Sequence, residues 1–214
     1  GDREALEAVL ADHEGQVAAV ILEPSGATVP EPGYLQSVVD AAHRHGALLI
    51  LDEVMTGFRI SRGGWWGQFG TREGWTPDLF TFGKVIGGGM PLAAIGGKAW
   101  VMDLLAPSGT VYQAGTLSGN PVATAAGLAT LELCDDELYR QLNQRALQIG
   151  SGISAALSSA GVAHSYQKAG NLFSFFFDAQ PVTNFAEAQR QDTKVFAAFF
   201  HSLLEHGVSV PPSA

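Results

Sequence analysis

One cysteine stands in 214 residues, so no disulfide can form within the chain. Cys134 lies in an apolar helical pattern and reads as a buried structural thiol, in keeping with a reducing, cytoplasmic compartment. Positive charge is scarce too: 12 Lys and Arg stand against 21 Asp and Glu, a formal net charge of -9. With no basic stripe to offset the acids, a nucleic-acid footprint is excluded and a small-molecule or protein partner is expected. No apolar run approaches the roughly 20 residues of a membrane span, and Gly1-Asp2-Arg3-Glu4-Ala5 does not resemble a signal peptide, so a soluble protein is expected. Repeats and low-complexity segments are missing. What the chain does have is apolar residues, 46% of the total and ample for a packed core.

Asp2 is placed to cap a helix carrying Leu6, Val9 and Leu10, with Gly15 ending it. Val17 to Leu22 is a continuous apolar run, which predicts a strand buried on both faces as in a parallel sheet. Helical periodicity returns from Tyr34 to His45, followed by a second apolar run from Ala47 to Leu51. A strand, a helix and a strand in that order make the two strands parallel in one sheet. The second ends in Asp52-Glu53, and ligands of open α/β sheets sit at the carboxyl ends of strands. For Asp52 a helix cap or a solvated loop acid is the alternative. Gly57 to Gly74 is a long loop with a short helix at Trp66 to Phe69; its Trp65, Trp66, Phe69 and Trp75 are expected to pack rather than to touch a ligand.

Leu79 to Phe82 predicts a buried strand, followed by Lys84 and the glycine turn Gly87-Gly88-Gly89. A lysine held by a rigid element beside glycines is a good place for chemistry, although this window alone leaves open an ordinary surface lysine. A further strand is expected at Ala93 to Gly96 and a short helix at Lys98 to Leu105. After the polar loop Tyr112 to Asn120, Pro121 opens a helix through Ala125, Leu128 and Leu131. Asp135 to Ala160 is again helical. Val162 to Tyr166 and Leu172 to Phe177 read as strands, and Asp192 to His206 as a helix with Val195, Phe196, Phe199, Phe200, Leu203 and Leu204 inward. The fold class is therefore α/β with a mostly parallel sheet. Residues 1–134 read as part of a large domain, 135–160 as a linking helix and 161–214 as part of a small α+β domain. The chain opens inside a helical pattern and closes on Val208 to Ala214, just after what looks like a strand, so a piece of a longer protein is expected.

Asp52, Lys84 and Thr116 together supply a strand-end carboxylate, an amine at a neighbouring strand end, and a hydroxyl-bearing turn before a helix. Those are the parts needed to hold an aldehyde cofactor with a ring nitrogen and a phosphate.

The stretches Leu51-Asp52-Glu53-Val54-Met55-Thr56-Gly57-Phe58-Arg59, Phe82-Gly83-Lys84-Val85-Ile86-Gly87-Gly88-Gly89-Met90-Pro91 and Tyr112-Gln113-Ala114-Gly115-Thr116-Leu117-Ser118-Gly119-Asn120-Pro121 resemble the three signatures of class III pyridoxal-phosphate enzymes. Within that family they are most similar to the aminomutases acting on glutamate-1-semialdehyde, as is the later stretch from Pro181 to His201. The resemblance implies the fold-type I architecture of pyridoxal-phosphate-dependent transferases. It implies Lys84 as the catalytic, Schiff-base lysine, Asp52 as the partner of the pyridinium nitrogen, and Val54 against the cofactor ring. Thr116 would bind phosphate of the cofactor in the other subunit, which implies a homodimer, with Tyr112 near the same site. The implied reaction turns glutamate-1-semialdehyde into 5-aminolevulinate by exchange of amino groups through pyridoxamine 5'-phosphate, with no external amino donor and no metal.

The chain departs from that pattern in three ways. The loop after Glu23-Pro24 lacks the family's Asn-Met-Gly, the step from Gly70 to Gly74 is long, and the upstream half with most of the phosphate cup is not in this chain. A chain of this extent is expected to be inactive alone. An ω-aminotransferase of the same class is the nearest rival, but those enzymes usually continue Thr-Gly-Phe with Gly-Arg-Thr-Gly where this chain has Phe58-Arg59-Ile60-Ser61. A non-catalytic protein retaining the fold is the other, opposed by the cost of keeping a paired lysine and carboxylate without a role.

Overall fold

The Asp2 carboxylate accepts a hydrogen bond from the Ala5 N–H at 3.0 Å and so caps helix α1 (Arg3–Asp12). The computed structural model describes residues 1–26 and 28–212. They fall into two compact units: Asp2–Pro24 with Pro30–Tyr139, and Gly1, Ser25–Val29 and Arg140 onward. In the first unit β1 (Ala19–Leu22) is followed by α2 (Tyr34–Arg44), which buries Leu35, Val38, Val39, Ala41 and Ala42 along one stripe. Strand β2 (Leu48–Asp52) lies parallel to β1 in the register Ala19↔Leu48 to Leu22↔Leu51. A π-helical turn (Trp66–Gly70) runs into the single turn α3 (Thr71–Glu73). Strand β3 (Leu79–Phe82) then pairs parallel with β2, and β4 (Ala94–Gly97) pairs antiparallel with β3. The sheet order β1-β2-β3-β4 is thus mostly parallel, as the apolar runs predict. The short α4 (Ala99–Met102) and the longer α5 (Pro121–Glu132) complete the unit, with Pro121 at the first helical position.

The expectation that the first strand is buried on both faces is not met. Leu49, Leu51 and the large aromatics Trp65 and Trp75 are at most 2% exposed, so one face of the sheet and the loop beyond it form the core. The opposite face carries Ile21 and Ile95, 60% and 49% exposed, because no described element covers them. The tryptophans pack as expected: the Trp66 indole N–H donates to the Trp75 carbonyl, and a Cβ at Gly70 would lie 2.5 Å from Trp66.

Asp78 ties the amino-terminal edge of the sheet together. Its carboxylate is buried and accepts from the Leu49 N–H at 2.7 Å, Lys98 Nζ at 2.7 Å and His43 Nε2 at 2.8 Å. Burial alone would raise its pKa, but the hydrogen bonds from Lys98, Leu49 and His43 outweigh it and hold the carboxyl below its usual range.

Helix α6 (Asp136–Ser159) contributes its first turn to the first unit and the remainder to the second. There β5 (Ser165–Ala169) and β6 (Leu172–Phe176) form an antiparallel hairpin across Gly170, whose φ is 63°. Strand β5 starts later than the apolar run at Val162 predicts. The Val162 N–H closes onto the Leu157 carbonyl, and the His164 ring bridges the Val162 carbonyl and Ser154 Oγ, so this segment finishes the helix instead. A short α7 (Phe185–Ala188) precedes α8 (Thr193–Glu205), capped by Asp192. The inward set expected for α8 is only partly inward: Phe196 and Phe199 meet Phe177 at 6.1 and 5.4 Å, whereas Val195 and Leu204 are 36% and 49% exposed. No strand forms at Val208–Val210, and the last two residues of that closing stretch, Ser213 and Ala214, lie outside the described residues.

Because the folded Asp78 pKa is lowered, its stabilisation is present above the unfolded value and is lost as pH falls through the folded one. Asp78→Asn is expected to cost about 3 kcal/mol near neutrality. In urea unfolding the gap between wild type and variant should shrink below about pH 4; a constant gap would mean that ionisation of Asp78 is irrelevant.

Candidate active site

Parallel pairing of β2 and β3 brings their carboxyl ends to one edge, with Asp52 and Thr81 as register partners and Lys84 three residues beyond Thr81. Asp52 Oδ1 accepts from the Val54 N–H at 2.9 Å, while its second oxygen has no partner among the described residues. The carboxylate therefore shapes its own turn and leaves one oxygen uncommitted. Val54 Cγ1 lies over Gly83, 3.3 Å from where a Cβ would stand, so a larger residue before Lys84 would push it aside.

Lys84 opens the 3-10 turn Lys84–Gly87 with φ 49°, left-handed and strained for a lysine. It is exposed, and no hydrogen bond or ion pair among the described residues engages its amine. The turn is locked from behind by α5. A Cβ at Gly127 would collide with the Ile86 carbonyl oxygen, and one at Gly88 with Thr130 Oγ1. For that reason α5 buries Ala123 and Gly127, while its Leu128 is 61% exposed.

Phe58, at φ 56°, is the other non-glycine residue in the left-handed region among those described. The Tyr139 hydroxyl donates to its carbonyl at 2.9 Å, and its ring meets Phe82 at 5.5 Å. A Cβ at Gly57 would lie 2.7 Å from Phe82, so the glycine is what admits that ring. Burial, together with the Cys134 thiol, pushes Tyr139 far above its usual pKa against the pull of Arg62 and Arg59, so it remains a donor. Cys134 itself is a buried free thiol.

Glu53 was not singled out from the sequence, yet it organises the edge. Its carboxylate, in a residue only 1% exposed, accepts from Thr56 Oγ1 at 2.7 Å and from the Trp65 and Trp66 N–H groups at 2.8 Å. Gly64 must be a glycine, with φ 65° and no space for a Cβ beside that carboxylate. An acid directly after a buried strand, followed by Gly63-Gly64-Trp65-Trp66, was the available signal.

Thr116 is exposed in the turn closed by the Ser118 N–H on the Gly115 carbonyl. The first free N–H groups of α5 are taken by Asn120 Oδ1, so phosphate donors at that loop would come from the turn and from Thr116. Tyr112 is 83% exposed. An open groove is lined by Val54, Thr81, Phe82, Leu92, Gly115 and Ser118. It joins Val54 to the loop that carries Thr116, whereas Asp52 and Lys84 flank it without lining it. Thr81 Oγ1 is buried and has no hydrogen-bond partner among the described residues. A carboxylate with a spare oxygen, an apolar wall, an unpartnered hydroxyl and an unpaired amine fit a pyridoxal ring.

The Aminotransferase class-III family profile matches residues 2–213. Over 212 residues the chain is 57% identical to glutamate-1-semialdehyde 2,1-aminomutase of Propionibacterium freudenreichii subsp. freudenreichii, covering 97% of this chain and 48% of that protein. Among solved structures it is similar to a β-phenylalanine aminotransferase from Variovorax paradoxus, with TM-score 0.86, 31% identity, and coverage of 99% of this chain and 50% of that one. A glutamate-1-semialdehyde-aminomutase from Pseudomonas aeruginosa PAO1 in complex with PMP gives TM-score 0.84, 30% identity, and coverage of 99% and 49%. The chain spans about half the length of the curated relatives it matches.

Glu53→Gln leaves one acceptor oxygen where three donors converge and turns an amide N–H₂ toward them. A loss of about 3 kcal/mol is expected. Hydrogen exchange at the Trp65 and Trp66 amides should accelerate well beyond that of β2, and equal protection in variant and wild type would show that the carboxylate does not hold this loop.

Proposed function

We propose, since this chain belongs to the aminotransferase class-III family, that it is the lysine-bearing half of a pyridoxal-phosphate enzyme converting glutamate-1-semialdehyde to 5-aminolevulinate. The observation that carries the substrate is the 57% identity to an aminomutase of that name. The cofactor supplies an electron sink and an amino group that can be lent and recovered. Lys84 Nζ is the amine that holds the cofactor's carbonyl and takes up and returns protons beside the substrate. The spare oxygen of Asp52 keeps the ring nitrogen protonated. Val54 packs on the ring, and Thr116 contacts phosphate. We read the first unit as part of the large cofactor-binding domain and the second as part of the small domain. The complete protein is read as a cytoplasmic homodimer in which Thr116 serves the partner's site. The exposure of the Thr116 loop supports that role, as does the outward apolar face of α5, with Val122 63% and Leu128 61% exposed.

The backbone likeness to a β-phenylalanine aminotransferase favours a second reading, an ω-aminotransferase. The two separate cleanly in the complete protein. The aminomutase forms 5-aminolevulinate from glutamate-1-semialdehyde with no added amino donor or acceptor; a strict need for an added acceptor would assign the aminotransferase. Lys84→Ala is expected to lower turnover by roughly 10³-fold or more with an unchanged circular dichroism spectrum, and Asp52→Asn by roughly a hundredfold. Wild-type rates in either variant would remove that residue from the chemistry.

A further inference from the structure

Three buried side-chain polar atoms lack a hydrogen-bond partner among the described residues: Thr81 Oγ1, Ser165 Oγ and Gln191 Oε1. Ser165 and Gln191 belong to the second unit; Thr81 stands at the sheet edge that carries Asp52 and Lys84. Along β3 the side chains alternate, so Phe80 and Phe82 turn to one face and Leu79 and Thr81 to the other. On that face the register neighbours of Thr81 are Asp52 on β2 and Ile95 on β4. Ile95 offers no hydrogen-bonding group. Asp52 commits Oδ1 to the Val54 N–H and does not reach the Thr81 hydroxyl. Valine has the same shape and would fill the position without desolvating a hydroxyl, so packing alone does not account for threonine. The residue also lines the groove shared by Val54 and the Thr116 loop.

We infer that Thr81 is a further cofactor-binding residue, whose hydroxyl takes its missing hydrogen-bond partner from the pyridoxal ring edge next to Asp52. This rests on the cofactor reading given above. Nothing covalent is asked of the hydroxyl: it orients the ring alongside the Asp52 carboxylate, on the same strand that delivers Lys84.

The test compares wild type, Thr81→Val, Thr81→Ala and Thr81→Ser in the complete protein. Pyridoxal phosphate affinity is measured by titration of the visible absorbance band and by equilibrium dialysis, and melting temperature is measured on the cofactor-free protein. Loss of one hydrogen bond predicts an affinity lower by on the order of tenfold in Thr81→Val and Thr81→Ala, and within about threefold of wild type in Thr81→Ser. Freed of a buried, unpaired hydroxyl, cofactor-free Thr81→Val should melt higher than wild type, by roughly 2 °C. Unchanged affinity in both hydroxyl-free variants overturns the inference. So does a lower melting temperature of cofactor-free Thr81→Val, because the partner would then lie in the protein. If wild type shows no band that Lys84→Ala abolishes, the cofactor reading itself fails and takes this inference with it. If the band is present and Thr81→Val binds normally, only the role of Thr81 falls.

Discussion

Parallel pairing of β2 with β3 is the constraint on which the rest of this chain depends. Parallel strands put both carboxyl ends at one edge, and the register Asp52↔Thr81 places a carboxylate and a hydroxyl side by side one turn ahead of Lys84. An antiparallel pair would send Asp52 and Lys84 to opposite edges. The pairing is secured at both ends by buried acids. Asp78 joins β2, α2 and Lys98, the residue after β4, at the amino-terminal edge, and Glu53 gathers the loop through Trp66 at the carboxyl edge. Each acid satisfies several donors at once, which is the condition under which a buried carboxylate stabilises instead of costing its full desolvation.

The site edge is also where backbone strain collects. Phe58 and Lys84 are both left-handed, and the rings of Phe58 and Phe82 touch, so the two strained residues are linked through the residue pair Phe82-Gly83. Tyr139 holds the first by its carbonyl and α5 holds the second through glycine contacts. Strain of this kind persists only where the surroundings over-determine it. Here the surroundings are the start of α6, the small-residue face of α5 and the aromatic row on β3. A lysine presented this way has its backbone fixed while its amine stays exposed, which suits a group that must form and release a bond with a ligand.

Much of the architecture was legible because it is local. Apolar runs marked β1 to β4, Asp2 and Asp192 marked helix starts, and Pro121 marked the first turn of α5, since each of these depends on near neighbours in the chain. The candidate site was legible for the same reason: Asp52 ends a strand, and Lys84 follows one before a glycine run. Glu53 was not legible, because an acid beside a strand looks alike whether solvated or buried. The inner face of α5 was not legible either, because close approach to the Lys84 turn demands Gly127 where hydrophobicity alone points to no glycine.

The sequence by itself determined the elements, the strand-end placement of Asp52 and Lys84, and the family signatures around Thr116, all of which are encoded within windows of a few residues. Tertiary structure alone decided which acids are buried and which polar atom is left over. Asp78 finds its donors 29 and 35 positions away at Leu49 and His43, and Glu53 finds Trp65 12 positions away. Thr81 finds none among the described residues. Those outcomes depend on which distant backbone and side-chain groups the sheet register brings within hydrogen-bonding reach, and no local pattern of hydrophobic and polar residues carries that information.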